Sequence, residues 1–214
     1  FRDWRNMMKN ELINWFGYLS FFALLLFSCS GTGTELTQKR IDDSYKGRPV
    51  SDILVIAITG NEHNRRVFEK KFVSQLKSVG IDAVSSEEAM PMPADLELKK
   101  EDILKAVNQY ENDAVIITHL IGKAEKDVYT RGGSPHGGFY GFYRSRYSYA
   151  HDPGYSSTNT TVRLETNLYD VKTEKLIWSG KSNSWSNEAK DQIINDVIKA
   201  VVAELKNNKL IAPK

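Results

Sequence analysis

Asp52-Ile53-Leu54-Val55-Ile56-Ala57-Ile58 is an unbroken apolar run behind one acidic residue, and its reading decides the fold. A strand with one wet face alternates apolar and polar residues. A continuous run of this length belongs instead to a strand covered on both faces, as in a parallel sheet flanked by helices. Asp52 to Ile58 is therefore expected at the centre of a sheet. Thr59-Gly60-Asn61 turns the chain into a helix reaching Val79, which aligns Phe68, Phe72, Leu76 and Val79 and has Gly80 placed as its stop. Ile81 to Val84 gives a short second strand. Ser85 to Leu98, with Pro91 and Pro93, reads as an irregular connection. A helix over Lys100 to Tyr110 turns Ile103, Leu104 and Val107 inward, with Asn112 as a left-handed end. Asp113 to Ile121 is another buried-type strand and completes β-α-β-α-β, whose crossovers should be right-handed.

Downstream the period changes. Val162, Leu164, Thr166 and Leu168 alternate with Arg163, Glu165, Asn167 and Tyr169, the pattern of a half-buried strand, and Leu176 to Ser184 can pair back across a turn near Thr173-Glu174. From Asn187 to Lys206, Ile194, Val197, Ile198, Val201, Val202 and Leu205 form one helical stripe. The expected fold is α/β, one domain over residues 52–210. In it, β-α-β-α-β is followed by an antiparallel hairpin and a C-terminal amphipathic helix on a mixed sheet.

Upstream, an apolar run from Leu12 to Phe27 ends in Leu26-Phe27-Ser28-Cys29, and Cys29 is the one cysteine in the chain. Asn14 interrupts the run, which falls short of the roughly 20 apolar residues a membrane-spanning helix needs but suits a secretion signal. The pattern resembles a bacterial lipobox, although Phe27 is bulky and the basic segment around Lys9 is thin. Met7 or Met8 is expected as the true start. The resemblance implies cleavage between Ser28 and Cys29, a diacylglyceryl group on the Cys29 thiol and an N-acyl chain on the new amine. Residues 1–28 are then upstream sequence and signal peptide, and residues 29–51, polar and punctuated by Gly31, Gly33, Gly47 and Pro49, a flexible tether. Ser30 stands where an aspartate would imply inner-membrane retention, so outer-membrane attachment facing the periplasm is expected.

The chain carries 29 basic and 27 acidic residues, a balance that argues against nucleic acid, whose binders show a strongly basic face. With no second cysteine there is no intrachain disulfide, and packing alone must hold the fold.

Asn167-Leu168-Tyr169-Asp170-Val171 followed by Lys175-Leu176-Ile177-Trp178-Ser179-Gly180, between an α/β first half and a terminal helix, resembles a family of uncharacterised bacterial envelope lipoproteins. More distantly, the element order is similar to the N-terminal domain of TolB and the periplasmic core of the curli secretion lipoprotein CsgG. At fold level this implies an envelope location and no particular activity.

The insertion at about 129–158 stands apart. Six of the ten tyrosines lie between Tyr129 and Tyr155, and Val128 to His151 holds no carboxylate, while Arg131, Arg144 and Arg146 give local positive charge. Arg131, Tyr140, Tyr143, Arg144, Arg146, Tyr147 and Tyr149 are the candidate contacts for headgroups, glycan, an envelope protein or a second copy, because Tyr and Arg combine stacking, hydrogen bonds and charge. The plain alternative is a loop that is disordered or packed on itself. Tyr143 to Tyr149 alternates over too short a length for a transmembrane strand, which weighs against a CsgG-like pore.

Catalytic signals are weak. Thr59-Gly60-Asn61 lacks the glycine pattern of a phosphate loop. His119 sits in an apolar strand and reads as a hydrogen-bonded core or strand-end residue. His136, His151 and Asp152 lack metal-ligand spacing, Ser134-Pro135 is no nucleophile elbow, and Arg131-Gly132-Gly133 is a single RNA-type tripeptide. No catalytic residue, metal or cofactor is expected beyond the lipid on Cys29. The sequence reads as a lipid-anchored structural, adaptor or assembly component of the envelope. A small-molecule-binding or hydrolytic periplasmic enzyme with a pocket near Thr59 and His119 is the alternative.

Overall fold

The computed structural model describes residues 34–93, 97–121, 138–150, 161–185 and 190–213. Ser28, Cys29 and Arg131 lie outside the described residues, as do His136, His151 and Asp152.

In chain order the elements are β1 (Thr34–Ile41), β2 (Asp52–Ile58), α1 (Glu62–Ser78), β3 (Asp82–Ser85), α2 (Ser86–Ala89), α3 (Lys100–Gln109), β4 (Ala114–Ile121), α4 (Gly138–Ala150), β5 (Thr161–Asp170), β6 (Leu176–Trp185) and α5 (Lys190–Asn207). Six strands form one sheet in the order β1-β6-β5-β4-β2-β3. β2 runs parallel to β3 and β4, whereas β4-β5, β5-β6 and β6-β1 are antiparallel. The mixed α/β fold expected from the sequence is the fold found.

Every residue of β2 is buried, because each face carries its own helical layer. On one face, Ile53, Val55, Ile116 and Trp178 meet Phe72 and Leu76 of α1 and Val197, Val201 and Leu205 of α5. On the other, Leu54, Ile56, Val115 and Ile117 meet Ile103 and Val107 of α3 and Phe139, Phe142 and Tyr143 of α4. Burying a large apolar side chain contributes about 1.5–3 kcal/mol, so these two clusters dominate the stability.

Three helices end alike. Gly80 (φ 84°), Glu111 (φ 55°) and Lys209 (φ 56°) are left-handed. The N–H that follows each one reaches back to a helix carbonyl: Ile81 to Leu76 at 3.1 Å, Asn112 to Val107 at 3.0 Å and Leu210 to Leu205 at 2.9 Å. This 6→1 closure satisfies carbonyls that the helix leaves open. At the second helix the left-handed residue is Glu111 rather than the expected Asn112. Asn112 serves with its side chain instead, donating from Nδ2 to Asp52 Oδ1 at 2.7 Å.

Three expectations are corrected. Thr34 to Ile41, expected within the tether, is the edge strand β1. Leu36 packs on the core, the Thr34 and Ser184 hydroxyls are 2.6 Å apart, and Lys39 pairs with Glu204 of α5 at 3.1 Å. The register shifts between Thr37 and Arg40, with Gln38 at φ 48°, a bulge of the kind that blunts an exposed sheet edge. Gly138 to Ala150, expected as a loop, is the helix α4 of the third layer, because Phe139, Phe142 and Tyr143 recur at helical spacing and all bury. Ser86 to Ala89, expected to be irregular, makes one helical turn capped by Ser85 Oγ, which accepts from the Glu88 N–H at 3.2 Å.

Candidate functional site

Chemistry in open α/β sheets is usually found at the carboxyl ends of parallel strands. Here that end of β2 and β3 is occupied by a network no sequence motif announced. Glu69 of α1 is 0% exposed and Arg65, one turn earlier, 3%. Glu69 Oε1 accepts from the Ala57 N–H at 2.9 Å, from Arg65 Nε at 3.1 Å and from Ser86 Oγ at 2.7 Å. Arg65 also donates to Ser86 Oγ at 2.6 Å and to Met92 Sδ at 2.8 Å. Buried charges are tolerated when each is paired and hydrogen-bonded, and both conditions hold. The signal was present in the sequence: Arg65 and Glu69 interrupt the α1 face that carries Phe68, Phe72 and Leu76. Ser86 is fully buried, so its hydroxyl is a structural link rather than an accessible nucleophile.

The turn before α1 is a helix cap. Asn61 Oδ1 accepts from the Asn64 N–H at 3.0 Å, the simple role expected of Thr59-Gly60-Asn61.

A second polar group lies under α4. His119 of β4 is paired in register with Glu165 of β5, and Glu165 with Lys181 of β6. His119 is 1% exposed, packs edge-on to Phe142 at 5.4 Å and has Nε2 3.7 Å from Glu165 Oε2. It is the core residue expected, but neither ring nitrogen has a hydrogen-bond partner of good geometry among the described residues. Burial, helped by the charges of Arg146 and Lys181, holds the imidazole well below the ordinary histidine range, so it is neutral at pH 7. Arg146 of α4 reaches Glu165 at 3.4 Å and lies 5.6 Å above the Phe142 ring.

The candidate contacts on α4 separate into different roles. Tyr143 is 1% exposed, and its hydroxyl accepts from the Leu98 N–H at 2.7 Å. It is a core residue, contrary to the expectation of a partner contact, because its place in the helix turns it inward onto α3 and β2. Tyr140 and Tyr147 are half-buried and stack on Tyr143 at 6.0 Å each, forming an aromatic column along the helix. Arg146 is half-buried and engaged with Glu165, whereas Arg144 is exposed. Tyr149 belongs to α4 by its backbone. The Tyr143 to Tyr149 alternation is therefore helical and forms no part of a strand. Among the described residues, no group of three or more His, Cys, Asp or Glu is placed to hold a metal ion.

Fold and site together define a three-layer α/β/α domain with a mixed sheet and one buried ion pair, Arg65–Glu69, at the carboxyl end of β2 and β3. No protein-family model matches the chain, and no curated protein does. Among solved structures it is similar to the PelC dodecamer from Paraburkholderia phytofirmans, with 13% identity, a TM-score of 0.46 and coverage of 83% of this chain and 99% of that one. A single-substitution variant of that dodecamer gives 15% identity, a TM-score of 0.46 and coverage of 80% and 98%.

Proposed function

We propose that this chain is a lipid-anchored lipoprotein of the cell envelope whose α/β/α domain acts as a structural, adaptor or assembly component rather than an enzyme. The anchor rests on Leu26-Phe27-Ser28-Cys29, and Ser30 favours the outer membrane, with the domain facing the periplasm. The observation that carries the role is the closed carboxyl end of β2 and β3. Arg65, Glu69 and Ser86 satisfy one another there, so their polar groups are committed to the fold and none is held out to a substrate. Among the described side chains of α4, Arg144 and Ser145 are exposed and Tyr140 and Tyr147 half-buried beside them, a surface that suits another envelope protein, a glycan or a second copy.

Two measurements test the reading. Cys29→Ser, exported normally, should leave the membrane fraction; unchanged attachment removes the lipoprotein assignment. A photo-crosslinking residue at position 144 in the lipidated protein should capture a discrete partner or a self-adduct in cells. If position 144 yields no adduct while the purified domain turns over or retains a small molecule, the enzyme reading replaces this one.

A further inference from the structure

We infer that the end of the sheet where β1 begins is the membrane-facing surface of the domain, with Arg163 set to meet lipid phosphate; this rests on lipidation of Cys29. The segment between the lipidated residue and the sheet is short. A flexible segment of about 20 residues has a root-mean-square reach of roughly 25 Å and leaves a domain free to turn. With β1 starting at Thr34, only Ser30, Gly31, Thr32 and Gly33 separate the lipidated residue from the sheet. Five residue steps span at most about 18 Å even when fully extended.

Register then identifies what lies at that end. Thr34 pairs with Ser184 and Ser184 with Val162, so the start of β1, the end of β6 and the start of β5 are level. The neighbouring row, Glu35, Asn183, Arg163 and Ile121, crosses four strands. Arg163 is exposed and has no ion pair among the described residues. It lies two strands from β1, roughly 10 Å at the usual strand spacing, which is inside the radius the tether allows. The β5–β6 turn lies at the other end, and at about 3.4 Å per residue the path from Val162 to Asp170 places it about 27 Å farther along the sheet. The anchor thus holds the Arg163 row near the headgroups and keeps the turn away from them. The occupant is a phospholipid surface, because the tether attaches this end to the bilayer and a lone exposed Arg pairs with phosphate through its planar fork of donors.

The test uses the full lipidated chain in vesicles of phosphatidylethanolamine and phosphatidylglycerol. A thiol-reactive fluorophore is placed by Asn183→Cys, by Glu35→Cys as a second position in the same row, or by Lys172→Cys at the turn. Lipids carrying a headgroup spin label act as quencher. The Cys29 sulfur is a thioether in the lipidated chain, so only the introduced thiol reacts. Quenching at positions 183 and 35 should exceed that at 172 by at least threefold. Arg163→Glu should halve it at 183, and a Gly-Ser insertion of about 20 residues between Gly33 and Thr34 should remove the difference. Equal quenching at both ends of a chain shown by mass spectrometry to carry its lipid overturns the orientation and leaves the lipoprotein reading standing. Absence of the lipid from Cys29 overturns both.

Discussion

The Trp178 indole lies across the backbone of Gly180, two residues on along β6. A methyl group at Gly180 would come within 2.5 Å of Trp178 Cη2. Residues two apart in a strand share a face, so a ring this large folds over its neighbour only where the neighbour has no side chain. Trp178-Ser179-Gly180 is thus a packing unit, and its mark in the sequence says nothing of chemistry. Trp178 is fully buried and has no room to swing aside. Gly180→Ala should cost about 1–3 kcal/mol by overpacking. In a Trp178→Leu background the same change should cost far less. Thermal or denaturant unfolding of the four variants in a double-mutant cycle measures the coupling, and additive losses would show that the two residues act independently.

Arg65 and Glu69 give a second cycle. Arg65→Met leaves a carboxylate sealed from water with its charge uncompensated, and the loss should be about 3–5 kcal/mol. Glu69→Gln should cost less than Glu69→Leu, since an amide oxygen still accepts from the Ala57 N–H. Replacing both charges, with Met at 65 and Leu at 69, should be milder than Arg65→Met alone. A double variant worse than the sum of the singles would mean that the pair is not the unit described.

The contrast between these two sites shows what the sequence made legible. Apolar periodicity is a property of each segment alone, so β2, β4, α1, α3, the β5–β6 hairpin and α5 were all readable, including the turn around Thr173. There Asp170 Oδ1 accepts from the Thr173 N–H at 2.7 Å. β1 was hidden because an edge strand packed on one face needs only Leu36 and small hydroxyl residues inward, and its outer residues look like a linker. α4 was hidden because its glycines and aromatic residues have low helix propensity, and burial of Phe139, Phe142 and Tyr143 overrides that local preference. Arg65 and Glu69 carry no local mark, since charged residues on a helix are ordinarily solvated. Only their phase relative to Phe68 and Phe72 distinguishes them, and only the tertiary structure supplies Ser86 and Met92.

The helix ends predict opposite effects of glycine. At Gly80, φ is 84° and an added Cβ would meet Pro213 Cγ at 3.0 Å, so Gly80→Ala should lower stability by about 1–2 kcal/mol. Glu111 and Lys209 adopt nearly the same conformation with a side chain present. Glu111→Gly and Lys209→Gly should each raise stability slightly, by about 0.5 kcal/mol, because relief of left-handed strain is partly offset by the greater unfolded-state freedom of glycine. Chemical denaturation reads all three, and a loss at Glu111→Gly would mean that its side chain matters more than its backbone.

His119 sets the response to acid. Its folded pKa lies well below the ordinary value, with burial as the main cause, followed by the charges of Arg146 and Lys181. The unfolded chain, whose histidine titrates near 6.5, therefore binds a proton that the folded chain refuses. Stability from this group is complete above about pH 6.5 and falls as the pH drops below that, with a limiting slope of about 1.4 kcal/mol per pH unit until the folded pKa is reached. Protonation inside the fold would bring an imidazolium within 3.7 Å of Glu165, but that carboxylate already meets Arg146. His119→Leu removes the titrating group and should flatten the stability profile between pH 6.5 and 5. Unfolding free energies at half-unit intervals decide the matter: parallel profiles for the wild type and His119→Leu would show that the folded and unfolded chains bind the imidazole proton equally well, so that burial does not depress its pKa.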